Sequence, residues 1–473
     1  MAEEKSKYQL LEEKLSKKRE NGWKLYGADK KPVINKISAE YLGYISRAKT
    51  ERLNVKVAVE WAEKEGFKPA ESFEALKPGD KVYFNYRGKN LLLAIIGTKG
   101  VDLGFNIVAS HVDAPRLDLK PSPLVEDTEF AMLKTHYYGG IKKYQWVNIP
   151  LALAGVVVLK DGKIIEIHIG DKDDDPIFMI PDLLPHLAKS QAEKKIADAI
   201  TGEQLMILVG SEPVNDDKIK EKVKLHVLEI LYEQYGITED DFLSAELEVV
   251  PAGKARELGL DRSMISGYGH DDRICGFANL YGLFALDNPE RTAVAYLADK
   301  EEIGSVGATG MDSIYFYHAL SKIATLINPG ISEVKIRELL HISNALSTDV
   351  EAAINPLFKE VHEANNAAKF GYGAAFSKYT GARGKGGSND ADAEYVAKLR
   401  KLLEDANVPY QIAELGKVDE GGGGTVAYLL ARYGIHTIDM GVALLSMHSP
   451  WEIASKVDLY AVCEACKHFL QKM

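Results

Sequence analysis

The chain has 473 residues, enough to bury a large core and to divide into two or three domains. Its 46% apolar and 27% charged content is that of an ordinary globular protein, with no low-complexity block to carry disorder. A net charge of -11 sets the average field against nucleic acid and anionic membrane surfaces, which excludes both as expected partners.

In chain order, the opening stretch from Met1 to Lys18 is charged throughout and has no apolar run of the kind a signal peptide or anchor needs. Residues up to about Lys68 then carry apolar positions at three and four spacing and predict helices. Lys81 to Tyr86, Asn90 to Ile96 and Phe105 to Ser110 are β-rich runs broken by Gly or charged turns, the last delivering His111 at its end. From about Pro121 to Glu248 the texture becomes strands with charged turns, a helical run, the strand-like EQLMILVGSEP and the helix IKEKVKLHVLEILYEQYG. The longest apolar stretch, Ile149 to Leu159, falls in this block and is too short to span a bilayer.

After Gly269 helix and strand alternate: DRICGFANLYGLFAL, TAVAYLAD, SIYFYHALSKIATLI, the end of ELLHISNALSTD, EYVAKLRKLLEDA and HTIDMGVA. Such alternation predicts an α/β layered sandwich around a mainly parallel sheet, with reactive groups at the carboxyl ends of strands. The 121–248 block has no ligand-like motif and reads as a smaller β-rich insertion between catalytic segments 1–120 and 249–473. Three cysteines are too few and too odd for a disulfide framework, and a cytoplasmic location is expected. Cys463 and Cys466 form a lone CxxC in a helical pattern and read as helix packing.

Three short runs carry chemistry. In ASHVDAP, His111 can bind a metal through one ring nitrogen while Asp113 fixes the tautomer through the other. GHDDR offers Asp271 or Asp272 as a carboxylate bridge between two divalent ions, or as a helix cap. In DKEEIG, adjacent glutamates at a strand end point apart, so one of Glu301 and Glu302 can ligate while the other takes a proton from the attacking water. Asp349 in STDVEAAINP and His448 in SMHSPWE add two ligands, so five with one shared give each of two metals a His, a terminal carboxylate and the bridge. Each run alone is a common surface turn or cap; their joint occurrence carries the metal reading. Zinc is the expected ion, with cobalt or manganese also suited to such donors.

With these stretches in hand, the chain resembles the M18 metallo-aminopeptidases, the aspartyl aminopeptidases, and their bacterial branch in particular. The likeness extends through SAELEVVPAGKARELG, KYTGARGKGG, ELGKVDEGGGGTVA and SMHSPWEIASKVD. It implies that His111 and Asp349 hold one metal, Glu302 and His448 the other, and Asp271 bridges them, with Glu301 as general base and Asp113 orienting His111. It implies peptide substrates with a free N-terminus, an inserted dimerisation domain, and dimers assembling into a dodecamer. An acidic first residue would need a cationic pocket, for which Lys378, Arg383 and Lys385 are the supply, and His186 resembles a family histidine that reaches a site across the dimer. The chain departs from the eukaryotic branch after Asp349, with Ala352 and Asn355 where histidines stand there, which loosens the expectation of strict acidic preference. Two other readings use the same residues: a dinuclear phosphoesterase and a catalytically silent scaffold of this fold.

Overall fold

The computed structural model describes residues 5–16, 19–381 and 383–473. Residues 1–4, 17 and 18 of the charged N-terminal stretch, and Ala382 of the basic loop, lie outside the described residues. A nine-stranded sheet runs in the order Lys68–Pro69, Lys81–Tyr86, Asn90–Ile95, Thr292–Ala298, Phe105–His111, Asn344–Ser347, His436–Gly441, Ala374–Ser377, Tyr410–Ile412. Its four middle strands, from Thr292–Ala298 to His436–Gly441, pair in parallel. Asn90–Ile95 joins one side of them antiparallel and Ala374–Ser377 the other, so the sheet is mixed at its flanks.

Alternate side chains of each middle strand enter opposite cores, as a period of two requires. Ala293, Ala295 and Leu297 face a core shared with helices Gly22–Arg47, Glu51–Lys64, His270–Phe284, Ala393–Asp405 and Lys456–Lys472. Val294, Tyr296 and Ala298 face a second core, closed by helices Tyr315–Ile327, Glu333–His341 and Ala427–Ala431. Burial on both faces is why these strands read as unbroken apolar runs, and the result is the three-layer α/β sandwich expected. Cys463 and Cys466 are fully buried in the last helix, as packing residues.

A second sheet is antiparallel throughout: Ile164–Ile169, Leu151–Val158, Ala245–Pro251, Arg116–Asp127, Phe130–Tyr138, Met206–Gly210. It has its own core, with Trp146, Leu153 and Ile207 buried against Val223 of the helix Lys222–Tyr235. Its first strand begins at Arg116 and runs through Pro121 and Pro123, with a register shift between Leu119 and Leu124 that leaves the prolines out of the ladder.

A third sheet of five short strands, Arg256–Leu258, Met264–Gly267, Glu452–Ser455, Ala443–Leu445 and Glu351–Ala352, lies in regions where the sequence offers no strand period. The chain passes into it directly from the central strand His436–Gly441. No helix among the described residues is long and apolar enough to cross a membrane.

Candidate metal centre and cleft

Strand register brings the acidic runs together. His111 pairs with Ala298, so the 3-10 turn Glu301–Ile303 that follows Ala298 stands beside it. Ser347 pairs with Ala109, which puts Asp349 level with His111 on the other side. Asp271 arrives from the start of helix His270–Phe284, where its own backbone and that of Asp272 are non-helical. His448 comes from the loop between Ala443–Leu445 and Glu452–Ser455.

Asp271 sits between the two histidines. Its Oδ1 is 3.1 Å from His111 Nε2 and its Oδ2 is 3.2 Å from His448 Nε2. On one side Asp349 Oδ1 lies 3.8 Å and Glu301 Oε2 4.0 Å from His111 Nε2. On the other, Glu302 Oε2 lies 3.5 Å from His448 Nε2. Donor atoms of Asp271, Glu302 and His448 all fall within 4.8 Å of one another, as do those of His111, Asp272 and Asp349, and those of His111, Glu301 and Glu302.

Asp272, the other bridge candidate of GHDDR, lies beneath His111 instead. Its Oδ2 accepts the His111 backbone N–H at 3.3 Å. Burial and the neighbouring Asp349 push its carboxyl well above the usual range.

Around the ligands stands a shell that fixes their directions. His111 Nδ1 lies 3.0 Å from the backbone oxygen of Asp113 and 3.3 Å from its Oδ1. The Asp113 carboxylate also accepts the backbone N–H groups of Glu301 and Glu302, both at 3.1 Å, and the Tyr138 hydroxyl at 2.8 Å. Asp113 therefore ties His111, Glu301 and Glu302 to one point. Glu452, buried, accepts the His448 backbone N–H at 2.7 Å and that of Asp271 at 3.1 Å. Its signal, the Glu of SMHSPWE, was visible, but its action through backbone groups was not.

The electrostatics call for cations. Burial pushes the Glu301 carboxyl up to about 8, with His111 opposing and Asp349, Asp113 and Asp271 adding to the rise. Burial disfavours the charged form of His448, yet Asp271 and Glu302 hold it up to about 10. Glu302 is raised by burial and by Asp271, and its Oε1 is buried with no hydrogen-bond partner. A buried carboxylate oxygen without a proton donor, facing imidazole nitrogens and further carboxylates, fits divalent metal.

The centre lies in a cleft of about 520 Å³, lined by Asp271, Glu301, Glu302, Asp349 and His448. Arg383 and Lys385 reach this cleft, and so does Lys417 of ELGKVDEGGGG, a cation the sequence reading did not single out. Lys385 is held by Asp390 at 3.0 Å and lies 3.7 Å from the centre of the Tyr379 ring, while Arg383 has no ion pair among the described residues. Lys378 is not among the residues that line the cleft; it pairs at 3.1 Å with Asp390, the carboxylate that also holds Lys385. His186 is exposed on the turn Pro185–Leu187 and is not part of this chain's own cleft.

Residues 44–470 match the family described as Aminopeptidase I zinc metalloprotease (M18). A probable M18 family aminopeptidase 1 of Clostridium acetobutylicum is 50% identical over 460 residues, covering 96% of this chain and 99% of that protein. The crystal structure of an M18 aminopeptidase from Thermotoga maritima superposes with a TM-score of 0.93 at 48% identity, over 97% of this chain and 100% of that one. The fold is also that of the mApe1 dodecamer of S. cerevesiae, with a TM-score of 0.74 at 23% identity over 92% of this chain and 96% of that one. The chain belongs to the M18 family and is a metallo-aminopeptidase.

Proposed function

We propose that the centre holds two divalent ions, one by His111 and Asp349, the other by Glu302 and His448, with Asp271 bridging. The observation that carries this reading is the placement of the two Asp271 oxygens, 3.1 Å and 3.2 Å from the two histidines. Zinc follows from the family; cobalt or manganese would suit the same donors. Bound metal supplies Lewis acidity at the scissile carbonyl and lowers the pKa of water. Glu301 takes the proton of the attacking water and returns it to the leaving amine. Asp113 holds Glu301 and Glu302 by their backbone N–H groups, so base and ligand keep a fixed separation during that transfer.

Elemental analysis and turnover test the reading together. Wild type should carry two ions per chain, and Glu301→Gln should keep both while losing ~10²–10⁴ in kcat, the range for a general base. A Glu301→Gln chain with near-normal turnover would sink the base role. The family assignment sets aside the phosphoesterase and silent-scaffold readings.

Preference for an acidic first residue is the finer proposal, supported by Arg383 and Lys417 in the cleft. Replacing both by Ala should lower kcat/KM for glutamyl anilide relative to leucyl anilide, each cation contributing up to ~10-fold. An unchanged ratio would remove the preference.

We also propose that residues 121–248, the larger part of the antiparallel unit, are the inserted dimerisation domain, flanked by catalytic segments 1–120 and 249–473. Leu183, Leu184, Leu187 and Ile196 are each more than half exposed there, a patch that a second copy of the chain would cover, with His186 among them. The mApe1 dodecamer shows this fold in a large assembly. A monomeric mass in solution would refute the oligomer.

A further inference from the structure

The antiparallel sheet also reaches the metal centre within one chain. Its strand Phe130–Tyr138 ends at the turn Tyr138–Gly140, and each of those three residues meets a different part of the site. Tyr138 is buried with the Arg116 guanidinium 3.9 Å from its ring centre, and its hydroxyl donates to Asp113 Oδ2 at 2.8 Å. Gly139 has φ 72°, and a methyl there would lie 3.2 Å from Glu302 Cβ and 3.3 Å from Glu302 Oε2. The Gly140 carbonyl oxygen lies 2.8 Å from His448 Nδ1.

Two of these contacts go to Glu302 and His448 directly, and the third goes to Asp113 Oδ2, the oxygen that also accepts the Glu302 N–H, whereas Asp113 Oδ1 is the oxygen 3.3 Å from His111 Nδ1. His448 is the ligand most in need of support: it has φ 64° in a loop, and its side chain is 37% exposed. A donor–acceptor bond from Nδ1–H to the Gly140 carbonyl turns Nε2 toward Asp271 and Glu302 and sets the tautomer for binding a cation. None of the three contacts reaches Asp349.

We propose that the turn Tyr138–Gly140 is a positioning element for the cation held by Glu302 and His448. Docking of the antiparallel unit then sets the affinity of that one ion and leaves the ion at His111 and Asp349 largely untouched. The inference rests on the two-ion reading above and deepens it by assigning unequal control of the two positions.

The test is zinc titration of wild type, Tyr138→Phe, Gly139→Ala and the control Tyr137→Phe against chelators of graded affinity. Thermal unfolding of each metal-free chain is measured alongside. Outer-shell partners of metal ligands carry ~10–100-fold in affinity. Gly139→Ala should therefore weaken one release step by about that factor and leave the other in place, Tyr138→Phe should weaken that step more than the other because Asp113 also meets His111, and both should lower kcat more than they change KM. The control should match wild type, and the metal-free melting points should agree.

Two unmoved release steps in both variants, or equal weakening of both steps, overturns the proposal. If Gly139→Ala does not fold, Tyr138→Phe still decides, because it keeps the ring on Arg116 and removes only the hydroxyl. Uptake of a single zinc by wild type would refute the two-ion reading instead, and the affinity of that ion in Tyr138→Phe would still report on the turn.

Discussion

Gly441→Ala separates site geometry from overall stability. Gly441 ends the central strand His436–Gly441, paired with Ala375, against the main chain of Asp349. A methyl there would stand 1.8 Å from the Asp349 carbonyl oxygen, 2.6 Å from its carbonyl carbon and 3.1 Å from Cys275 Sγ. Side-chain Cβ atoms do not approach closer than about 3.0 Å, so Asp349 has to retreat by about 1.2 Å, the gap between 1.8 and 3.0 Å. Its Oδ1 already lies 3.8 Å from His111 Nε2, and the shift moves it relative to Asp271 as well. A displacement of about 1 Å costs ~10²-fold in rate, whereas overpacking costs ~1–3 kcal/mol in stability. The expected result is a chain that folds, melts a few degrees lower, binds one zinc more weakly and turns over leucine p-nitroanilide ~10²-fold more slowly. Gly43→Ala serves as the control, since nothing lies within 4 Å of a methyl there in the helix Gly22–Arg47. It should gain ~0.5–1 kcal/mol with kcat unchanged. Wild-type turnover and zinc content in Gly441→Ala would refute the placement of Asp349 in the centre.

Two further predictions concern the groups behind the ligands. Glu452→Gln leaves one acceptor for two backbone N–H groups and turns an amide toward the other, so it should loosen Asp271 and His448 together; metal content below wild type with the fold intact, read by circular dichroism, checks it. In the metal-free chain, burial raises Glu301 and Glu452 to about 8 from an ordinary 4.5. Raised carboxyls stabilise the fold fully below their unfolded pKa, and that stability is lost as pH rises through about 8; His448, raised to about 10, changes in the same direction. The metal-free Tm should therefore fall between pH 5.5 and 8.5, on the order of the window set by those shifts, and zinc should flatten the profile; a metal-free Tm that rises over this range contradicts the assignment.

The parts of this molecule that could be read from sequence are those where burial leaves a period. Phe105–His111 and Thr292–Ala298 are buried at every position, so their apolar runs and the acidic residues just beyond them stood out. The five-stranded sheet did not, because strands of two to four residues such as Glu351–Ala352 and Glu452–Ser455 are too short to show alternation. Asp271 could be preferred to Asp272 as the bridge only by resemblance, and the local chain conformation is what turns one carboxylate between the histidines and the other beneath His111. The basic loop gave no sign of which cations line the cleft, because it runs through bends and turns, with Arg383 and Lys385 both at positive φ. Glu452, Gly139 and Gly140 act through backbone atoms or the lack of a side chain, and side-chain chemistry in a sequence carries no trace of either.

The proposed ligands lie at residues 111, 271, 302, 349 and 448, brought together by pairings between strands far apart in the chain. No contiguous fragment shorter than 111–448 contains all of them. Contacts of such sequence separation form late, after loop closure has been achieved along most of the chain. A growing chain that has not reached residue 448 therefore lacks one member of the cluster, and the complete centre can form only once the C-terminal segment has been added.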